Sequence, residues 1–139
     1  MIEQAARLAG QCPACGDPCE GWAVQLVRDG KLAWDLDWEH AGCSASHDRS
    51  WGLAPEWVRK AIMSQHGPHC LQLADPEQRG GAVLKAFRDA FGLSLQEAQN
   101  SARALRQSGY EGTYVEVRLL ADLFEREGIA AGASPGPCV

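Results

Sequence analysis

Two runs of alternating apolar and polar residues, on either side of Asp29-Gly30, constrain the fold more than any other feature of this chain. In the first run, Trp22, Val24 and Leu26 alternate with other residues. The apolar positions of the second run are Leu32, Trp34, Leu36 and Trp38. A period of two is typical of strands that bury one face, and Asp-Gly is a frequent hairpin turn. The pattern therefore predicts an antiparallel β-hairpin.

The register of this hairpin depends on the length of its loop. A three-residue loop, 28–30, sets Trp22 opposite Leu36 and puts both apolar sets on the same face of the hairpin. A two-residue loop would put the two sets on opposite faces, because a slip of one residue exchanges the faces of a strand. We therefore predict the three-residue loop, with Gly30 in the left-handed conformation of a bulged turn.

Four residues that flank the hairpin predict a metal site. The stretch "CPACGDPC" holds Cys12 and Cys15 in a Cys-x-x-Cys-Gly turn, and His40 and Cys43 follow the hairpin as His-x-x-Cys. Structural zinc is held tetrahedrally by thiolate and imidazole ligands. A small hairpin also buries too little surface to be stable alone, so a metal would stabilise it. We predict a zinc ribbon in which these four residues bind a structural zinc ion.

Other roles for these residues remain open in the sequence. Cys19 or His47 is an alternative to His40 as the fourth ligand. The cysteines are also compatible with small apolar residues that bind no metal. A thioredoxin-like redox pair is disfavoured, because such a pair opens a helix, whereas Pro13 and the glycine that follows Cys15 predict a turn.

Charged and aromatic residues of the hairpin bear on its partners. Asp35, Asp37 and Glu39 alternate along the second strand, which predicts a solvated acidic face; a metal-binding or acid-base role is the alternative. All five tryptophans lie in the first 57 residues, and aromatic platforms can stack single-stranded nucleic acid. The alternation places most of them on the buried face, however, and the formal net charge is -5. Nucleic acid is therefore an unlikely partner.

A helix is predicted to connect the hairpin to the rest of the chain. Pro55 suits its first helical position, and Gly67 ends it. Its apolar stripe consists of Trp57, Val58, Ala61 and Ile62. His66 and His69 flank the turn that follows, where histidines are usually solvated rather than ligands.

The second half of the chain carries two capping boxes and a recognisable series of helices. Ser94 with Glu97, and Thr113 with Glu116, predict helix starts. One helix ends in Gly-Leu, the next starts Leu-x-Glu-Ala, and a third ends in Gly before a short apolar run. The residues of these motifs are Val83, Leu84, Gly92, Leu93, Leu95, Glu97, Ala98, Leu123 and Gly128.

In these motifs, residues 68–131 resemble the C-terminal domain of the bacterial ribosomal stalk protein. The resemblance implies an α+β domain with βααβαβ order, in which helices pack on a small sheet. The factor-binding face of that family is rich in lysine, whereas this chain has Gln96 and Gln99 at the corresponding positions. The resemblance therefore implies the fold and does not imply recruitment of translation factors.

The predicted fold class is α+β, with a small zinc-ribbon-like β-hairpin domain followed by a helix and a stalk-protein-like βααβαβ domain. The predicted boundaries are 1–52 for the zinc-ribbon-like domain, 53–67 for the connecting helix, 68–131 for the stalk-like domain and 132–139 for a flexible tail. Cys70 and Cys138 stand apart from the cysteine cluster, and we interpret them as unrelated thiols.

No residue pattern in the chain predicts catalysis. A phosphate-binding glycine loop, a His-Glu-x-x-His motif and a nucleophile elbow are all missing from the sequence. No apolar run approaches a membrane span, and the first residues do not read as a signal peptide, so we expect no membrane partner and a cytoplasmic location. Disulfides are rare in that reducing compartment.

We therefore expect a non-enzymatic, adaptor-like module for protein interaction or regulation, stabilised by structural zinc, with a protein partner of unknown identity. Three alternatives remain. The chain could be an immunity-type inhibitor that binds a basic toxin or enzyme through its carboxylates. It could be a zinc-dependent enzyme with an open metal site. It could also be a carrier whose tail is modified at Cys138 by a partner enzyme.

Overall fold

The computed structural model describes residues 2–11, 15–39, 46–78 and 81–139. Within these residues the chain forms seven strands in two antiparallel sheets and four helices, which confirms the predicted α+β class. The strands are β1 (Glu3–Gln11), β2 (Pro18–Arg28), β3 (Lys31–Glu39), β4 (Ser46–Trp51), β5 (His69–Leu73), β6 (Tyr110–Gly112) and β7 (Ala131–Pro135). The helices are α1 (Glu56–His66), α2 (Gly81–Phe91), α3 (Leu95–Ser108) and α4 (Tyr114–Arg126).

The first sheet is a four-stranded antiparallel meander in the order β1-β2-β3-β4, rather than the single hairpin that the sequence predicts. Strand β1 pairs with β2 so that Ala6 lies opposite Ala23. Strand β4 occupies the polar stretch "SHDRSW", in which apolar residues do not alternate. Alanine, serine and charged residues have low strand propensity, so pairing with neighbouring strands determines the conformation of β1 and β4.

The β2–β3 hairpin has a two-residue loop, so the predicted three-residue loop is wrong. Arg28 pairs with Lys31, and Trp22 lies opposite Asp37. Asp29 and Gly30 both have positive φ, at 53° and 74°. Positive φ at both central residues is the requirement of the type I′ turn, whose twist matches that of the flanking strands.

Close packing between β2 and β3 explains this register. The inward-facing residues of β2 include Gly21 and Ala23, which lie opposite Trp38 and Leu36 on β3. A Cβ atom on Gly21 would approach Cε3 of Trp38 to 2.9 Å and would also collide with a backbone oxygen of β3. The large side chains of β3 therefore need small residues on β2, and this places Trp22 on the opposite face.

Helix α1 covers the inner face of the first sheet. Val58 and Ile62 are fully buried against it. Trp57 was predicted to share their apolar stripe, but half of its surface is exposed, so this part of the prediction is wrong. Trp57 precedes Val58 on the helix and points about 100° away from it, which leaves the tryptophan at the side of the contact.

The end of α1 also closes one edge of the first sheet. The backbone N–H of Arg7 donates to Oε1 of Gln65 (3.0 Å), and Nε2 of Gln65 donates to the carbonyl oxygen of Arg7 (2.8 Å). Nε2 of His66 lies 2.6 Å from the carbonyl oxygen of Ala5. These side chains satisfy backbone groups of β1 that would otherwise be open to pairing with another chain.

The second sheet has the order β6-β5-β7 and carries the other three helices. From β5 onward the elements follow the order β-α-α-β-α-β. The predicted capping boxes are both confirmed, with Ser94 and Thr113 as the N-cap residues of α3 and α4. The core of this half is built around Phe87, Phe91 and Phe124, and it also includes Leu32 of β3, so the two halves of the chain share packed side chains.

Cys70 and Cys138 form a disulfide, so the interpretation of two unrelated thiols is wrong. Their Cα atoms are 5.1 Å apart, although 68 positions separate them in the sequence. Strand β7, which includes part of the predicted flexible tail, pairs with β5 along its full length. No helix in the described residues is long and apolar enough to cross a membrane.

Candidate functional site: the outer face of the first sheet

We call the side of the first sheet that points away from α1 the outer face. The register places one row of side chains across all four strands, in the order Arg7, Trp22, Asp37 and His47. Because side chains alternate along each strand, the outer face also carries residues at even spacings from this row. They include Glu20, Arg28, Asp35, Arg49 and Trp51.

Trp22 and Trp51 are the large aromatic residues of the outer face. They are 47% and 55% exposed. The guanidinium carbon of Arg7 lies 5.7 Å from the ring centroid of Trp22, and that of Arg28 lies 5.8 Å from the ring centroid of Trp51. These cation–π contacts hold each indole against the sheet. The two tryptophans lie two strands and four residues apart, which corresponds to about 16 Å between their Cα atoms.

The carboxylates of the outer face have cationic partners. Asp35 lies between Nε of Arg49 (3.3 Å) and Nη2 of Arg28 (3.8 Å), and its side chain is only 13% exposed. Oδ1 of Asp37 contacts Nδ1 of His47. The prediction of a solvated acidic face is therefore wrong for Asp35, because the sequence did not show that β4 supplies Arg49 beside it. The outer face has mixed and largely paired charge.

A buried group of polar side chains fixes the first sheet to the helices; we call it the buried junction. It consists of Gln25, Arg59, Tyr110, Thr113 and Glu116. Nε and Nη2 of Arg59 donate to the two carboxylate oxygens of Glu116 at 2.7 and 2.8 Å. Nε2 of Gln25 and the hydroxyl of Tyr110 also donate to that carboxylate, at 2.8 and 2.9 Å. Because Gln25 lies on β2, this network connects the sheet to α1, β6 and α4.

The buried junction contains one internal ion pair, between Arg59 and Glu116. Glu116 has no exposed surface, so its carboxylate oxygens interact with protein groups rather than with solvent. Burial lowers the pKa of Arg59, but the hydrogen bonds and negative charge of Glu116 outweigh burial and raise that pKa above its ordinary value. Burial, followed by the charge of Glu116, raises the pKa of the Tyr110 phenol well above its usual range. The arginine thus stays charged and the tyrosine stays neutral.

Gly112 leaves the space that this network needs. A Cβ atom at that position would collide with Oε1 of Glu116 and lie 2.7 Å from Cε1 of Tyr110. Only the Thr113–Glu116 capping box was visible in the sequence, because its two residues are neighbours on one helix. The contact of Glu116 with Gln25 joins residues 91 positions apart, and no local pattern indicates it.

The classification of the chain as a metal-binding zinc-ribbon protein is corrected by the structure. Among residues 2–11, 15–39, 46–78 and 81–139, no group of three or more His, Cys, Asp or Glu side chains could hold a metal ion. Of the predicted ligands, Cys15 is exposed in a turn before β2. Cys12, His40 and Cys43 lie outside the described residues, so their individual roles stay predictions. The β2–β3 hairpin belongs to a larger sheet with its own core.

The two alternative ligands lie on opposite faces of the first sheet. Cys19 is buried on the inner side of β2, whereas His47 lies on the outer face beside Asp37. His69 lies on β5 with its ring edge-on to Tyr114, at 5.3 Å between centroids. The structure thus brings together tryptophan, arginine and carboxylate side chains on one face of the first sheet.

No protein-family model matches the chain, and neither a curated protein nor a solved structure gives a match.

Proposed function

We propose that this chain is a non-enzymatic protein-interaction module that binds a partner protein through the outer face of its first sheet. The observation that carries the proposal is the pair Trp22 and Trp51, each about half exposed and each held under an arginine on the same face. Tryptophan and arginine are the residues most enriched among the side chains that dominate protein–protein binding energy.

The exposed indole surface is large enough to drive binding. A tryptophan side chain offers roughly 250 Å² in total, so half of it leaves about 125 Å² for a partner to cover. At about 25 cal/mol per Å², covering one indole would contribute about 3 kcal/mol. Since the cation–π contacts already restrict both indoles, binding would cost little additional side-chain entropy.

The charge on the outer face supports a partner of mixed polarity. Asp35 and Asp37 are already paired with Arg49 and His47, so they are poor primary contacts for a basic protein. This weakens the alternative of an inhibitor that captures a basic toxin through carboxylates. The formal net charge of -5 opposes the phosphates of a nucleic acid, which favours a protein partner over an oligonucleotide.

The helical half supplies a rigid support for this face. We propose that residues 68–131 adopt a fold like that of the stalk-protein C-terminal domain, since their βααβαβ element order and their helices packed on one sheet support it. The buried junction fixes β2 to this half of the chain, because Gln25 on β2 donates a hydrogen bond to Glu116 on α4. We also revise the expected compartment, because a disulfide favours an oxidising environment over the cytoplasm.

The test is affinity capture with matched variants of the full chain. Three proteins are immobilised separately: the wild type, the Trp22→Ala/Trp51→Ala double variant and the control Trp57→Ala. Each is exposed to the same cell extract, and the proteins that they retain are compared. Trp57 is equally exposed but lies on α1, away from the outer face. The proposal predicts a protein that the wild type and the control retain and the double variant loses. Retention of the same protein by all three variants contradicts it, and tight binding of a single-stranded oligonucleotide lost in the double variant would assign the face to nucleic acid instead.

A further inference from the structure

The last residues of the chain form a segment, 131–138, that we call the strap. Its first part is β7, which pairs with β5 from Ala131 opposite Leu73 to Pro135 opposite His69. The backbone N–H of Gly136 then donates to the carbonyl oxygen of Pro68 (2.8 Å). The strap ends where Cys138 is bonded to Cys70 of β5.

Side-chain burial contributes little to holding the strap in place. Ile129, just before it, is 6% exposed and belongs to the core of the second half. From Gly132 to Pro135, by contrast, every residue of β7 is exposed. Alanine, glycine and serine also bury little apolar surface. The strap is therefore held by backbone hydrogen bonds and by the disulfide at its end.

The strap covers specific groups on the second sheet. Cys70 is 4% exposed and lies on β5, the central strand. A Cβ atom on Gly109 would approach Sγ of Cys138 to 3.0 Å, so the disulfide lies directly over that glycine. The backbone N–H of Cys138 also donates to Oε1 of Glu111 on β6, at 2.8 Å. The strap thus turns at its end and crosses from the β7 side of β5 to the β6 side.

We propose that the strap is a redox-controlled cover of the β5 edge. A dithiol reductant attacks the Cys70–Cys138 bond, and the S–S bond breaks with the gain of two electrons and two protons to give two thiols. The reductant is oxidised to its own disulfide in the same exchange. Without the covalent anchor the strap separates from β5, which becomes an edge strand with open backbone groups. The strap lies on the second sheet and shares no residue with the outer face.

Hydrogen exchange of the full chain, oxidised and reduced, tests the proposal. Backbone amides of the strap are expected to exchange at least about tenfold faster after reduction, because an exposed strand held only by backbone hydrogen bonds opens readily. Amides of β5 that pair with β7 are expected to accelerate as well, and both sets should accelerate more than amides of α4, whose protection falls only with the global free energy of unfolding. The variant Cys138→Ser is expected to reproduce this pattern without reductant and to respond no further when reductant is added.

Three results would overturn the proposal. One is a strap that keeps its protection in the reduced protein and in Cys138→Ser. Another is an equal loss of protection in α4 and the strap, because the disulfide would then stabilise the whole fold rather than a local cover. The third is the detection of free thiols at both Cys70 and Cys138 by mass spectrometry of the protein purified without reductant.

Discussion

Removal of the positive charge from the buried junction is the perturbation with the clearest expected magnitude. Arg59→Met keeps most of the side-chain volume but deletes both hydrogen bonds to Glu116, whose carboxylate has no exposed surface. Loss of one partner from a buried ion pair typically costs about 3 to 5 kcal/mol, because the other charge stays buried without compensation. Domains of this size are stable by roughly 5 to 15 kcal/mol, so the expected loss is a large part of the total.

Urea unfolding measures this loss with two probes. All five tryptophans lie in the first 57 residues, so their fluorescence reports the first sheet and α1, whereas far-UV circular dichroism reports mainly α2, α3 and α4. We expect coincident transitions in the wild type. In Arg59→Met we expect both midpoints to fall, and the fluorescence transition to precede the circular dichroism transition, because the junction no longer fixes the sheet to the helices.

Two further variants separate the charge effect from other causes. Arg118→Met makes the same change in an exposed pair on α4, where Nε of Arg118 lies 3.4 Å from Asp122, and should cost less than about 0.5 kcal/mol. Adding Glu116→Gln to Arg59→Met should restore at least about 1 kcal/mol, because it removes the uncompensated charge. A cost below about 1 kcal/mol for Arg59→Met alone would refute the reasoning, since an unpaired carboxylate cannot be buried so cheaply.

Three other predictions follow from the packing, the ionisation and the disulfide. Gly21→Ala forces a Cβ atom against Trp38 and should lower the free energy of unfolding by about 1 to 3 kcal/mol, whereas Gly132→Ala enters open space and should change it by less than about 0.5 kcal/mol. Chemical denaturation compares the two, and equal effects would argue against the hairpin register. Burial and the charge of Glu116 raise the pKa of Tyr110 in the folded state. The neutral phenol therefore contributes fully to stability below a pH of about 10, the pKa of tyrosine in the unfolded chain. That contribution is lost as the pH rises from there through the folded-state pKa. Tyr110→Phe should therefore flatten the fall in stability above about pH 10, and a profile identical to that of the wild type would contradict the assignment. Cys138→Ser opens a loop of 68 positions and should lower the free energy of unfolding by up to about 4 kcal/mol, as measured by thermal or urea unfolding without reductant; an unchanged stability would mean that the bond does not form.

The helical half could be predicted from the sequence because its signals are local. The capping boxes at Ser94 and Thr113 each involve residues three positions apart, and the structure contains both. The apolar stripes of the helices also follow from residues within one or two turns. Local patterns of this kind specify an element whatever it later packs against.

The register of the first sheet could not be predicted, because both faces of β2 carry residues that fit a core. Trp22, Val24 and Leu26 form the larger apolar set, but the structure buries the side that carries Gly21 and Ala23. The choice depends on the tryptophans of β3, whose size requires small residues opposite them. An alternating pattern of apolar and polar residues does not distinguish large apolar side chains from small ones, so it does not predict this register.

The contacts that define the candidate site were also beyond local patterns. The ion pair between Asp35 and Arg49 requires β4, a strand with no alternating apolar residues. The buried junction joins Gln25 to Glu116 across 91 positions of the sequence. The disulfide joins Cys70 to Cys138 across 68 positions. Such pairings arise only when the two sheets are assembled, so single-sequence reasoning assigned these residues to surfaces, caps or isolated thiols.

The most direct test of the central claim is the affinity of the captured partner, purified and titrated by calorimetry against the full chain and its tryptophan variants. Exposed tryptophans that dominate an interface cost about 2 kcal/mol or more each on truncation to alanine. The account therefore predicts that Trp22→Ala/Trp51→Ala weakens binding about 1000-fold, while Trp57→Ala changes it less than about threefold. Unchanged affinity in the double variant, or an equal loss in Trp57→Ala, would contradict the assignment of the outer face as the binding surface.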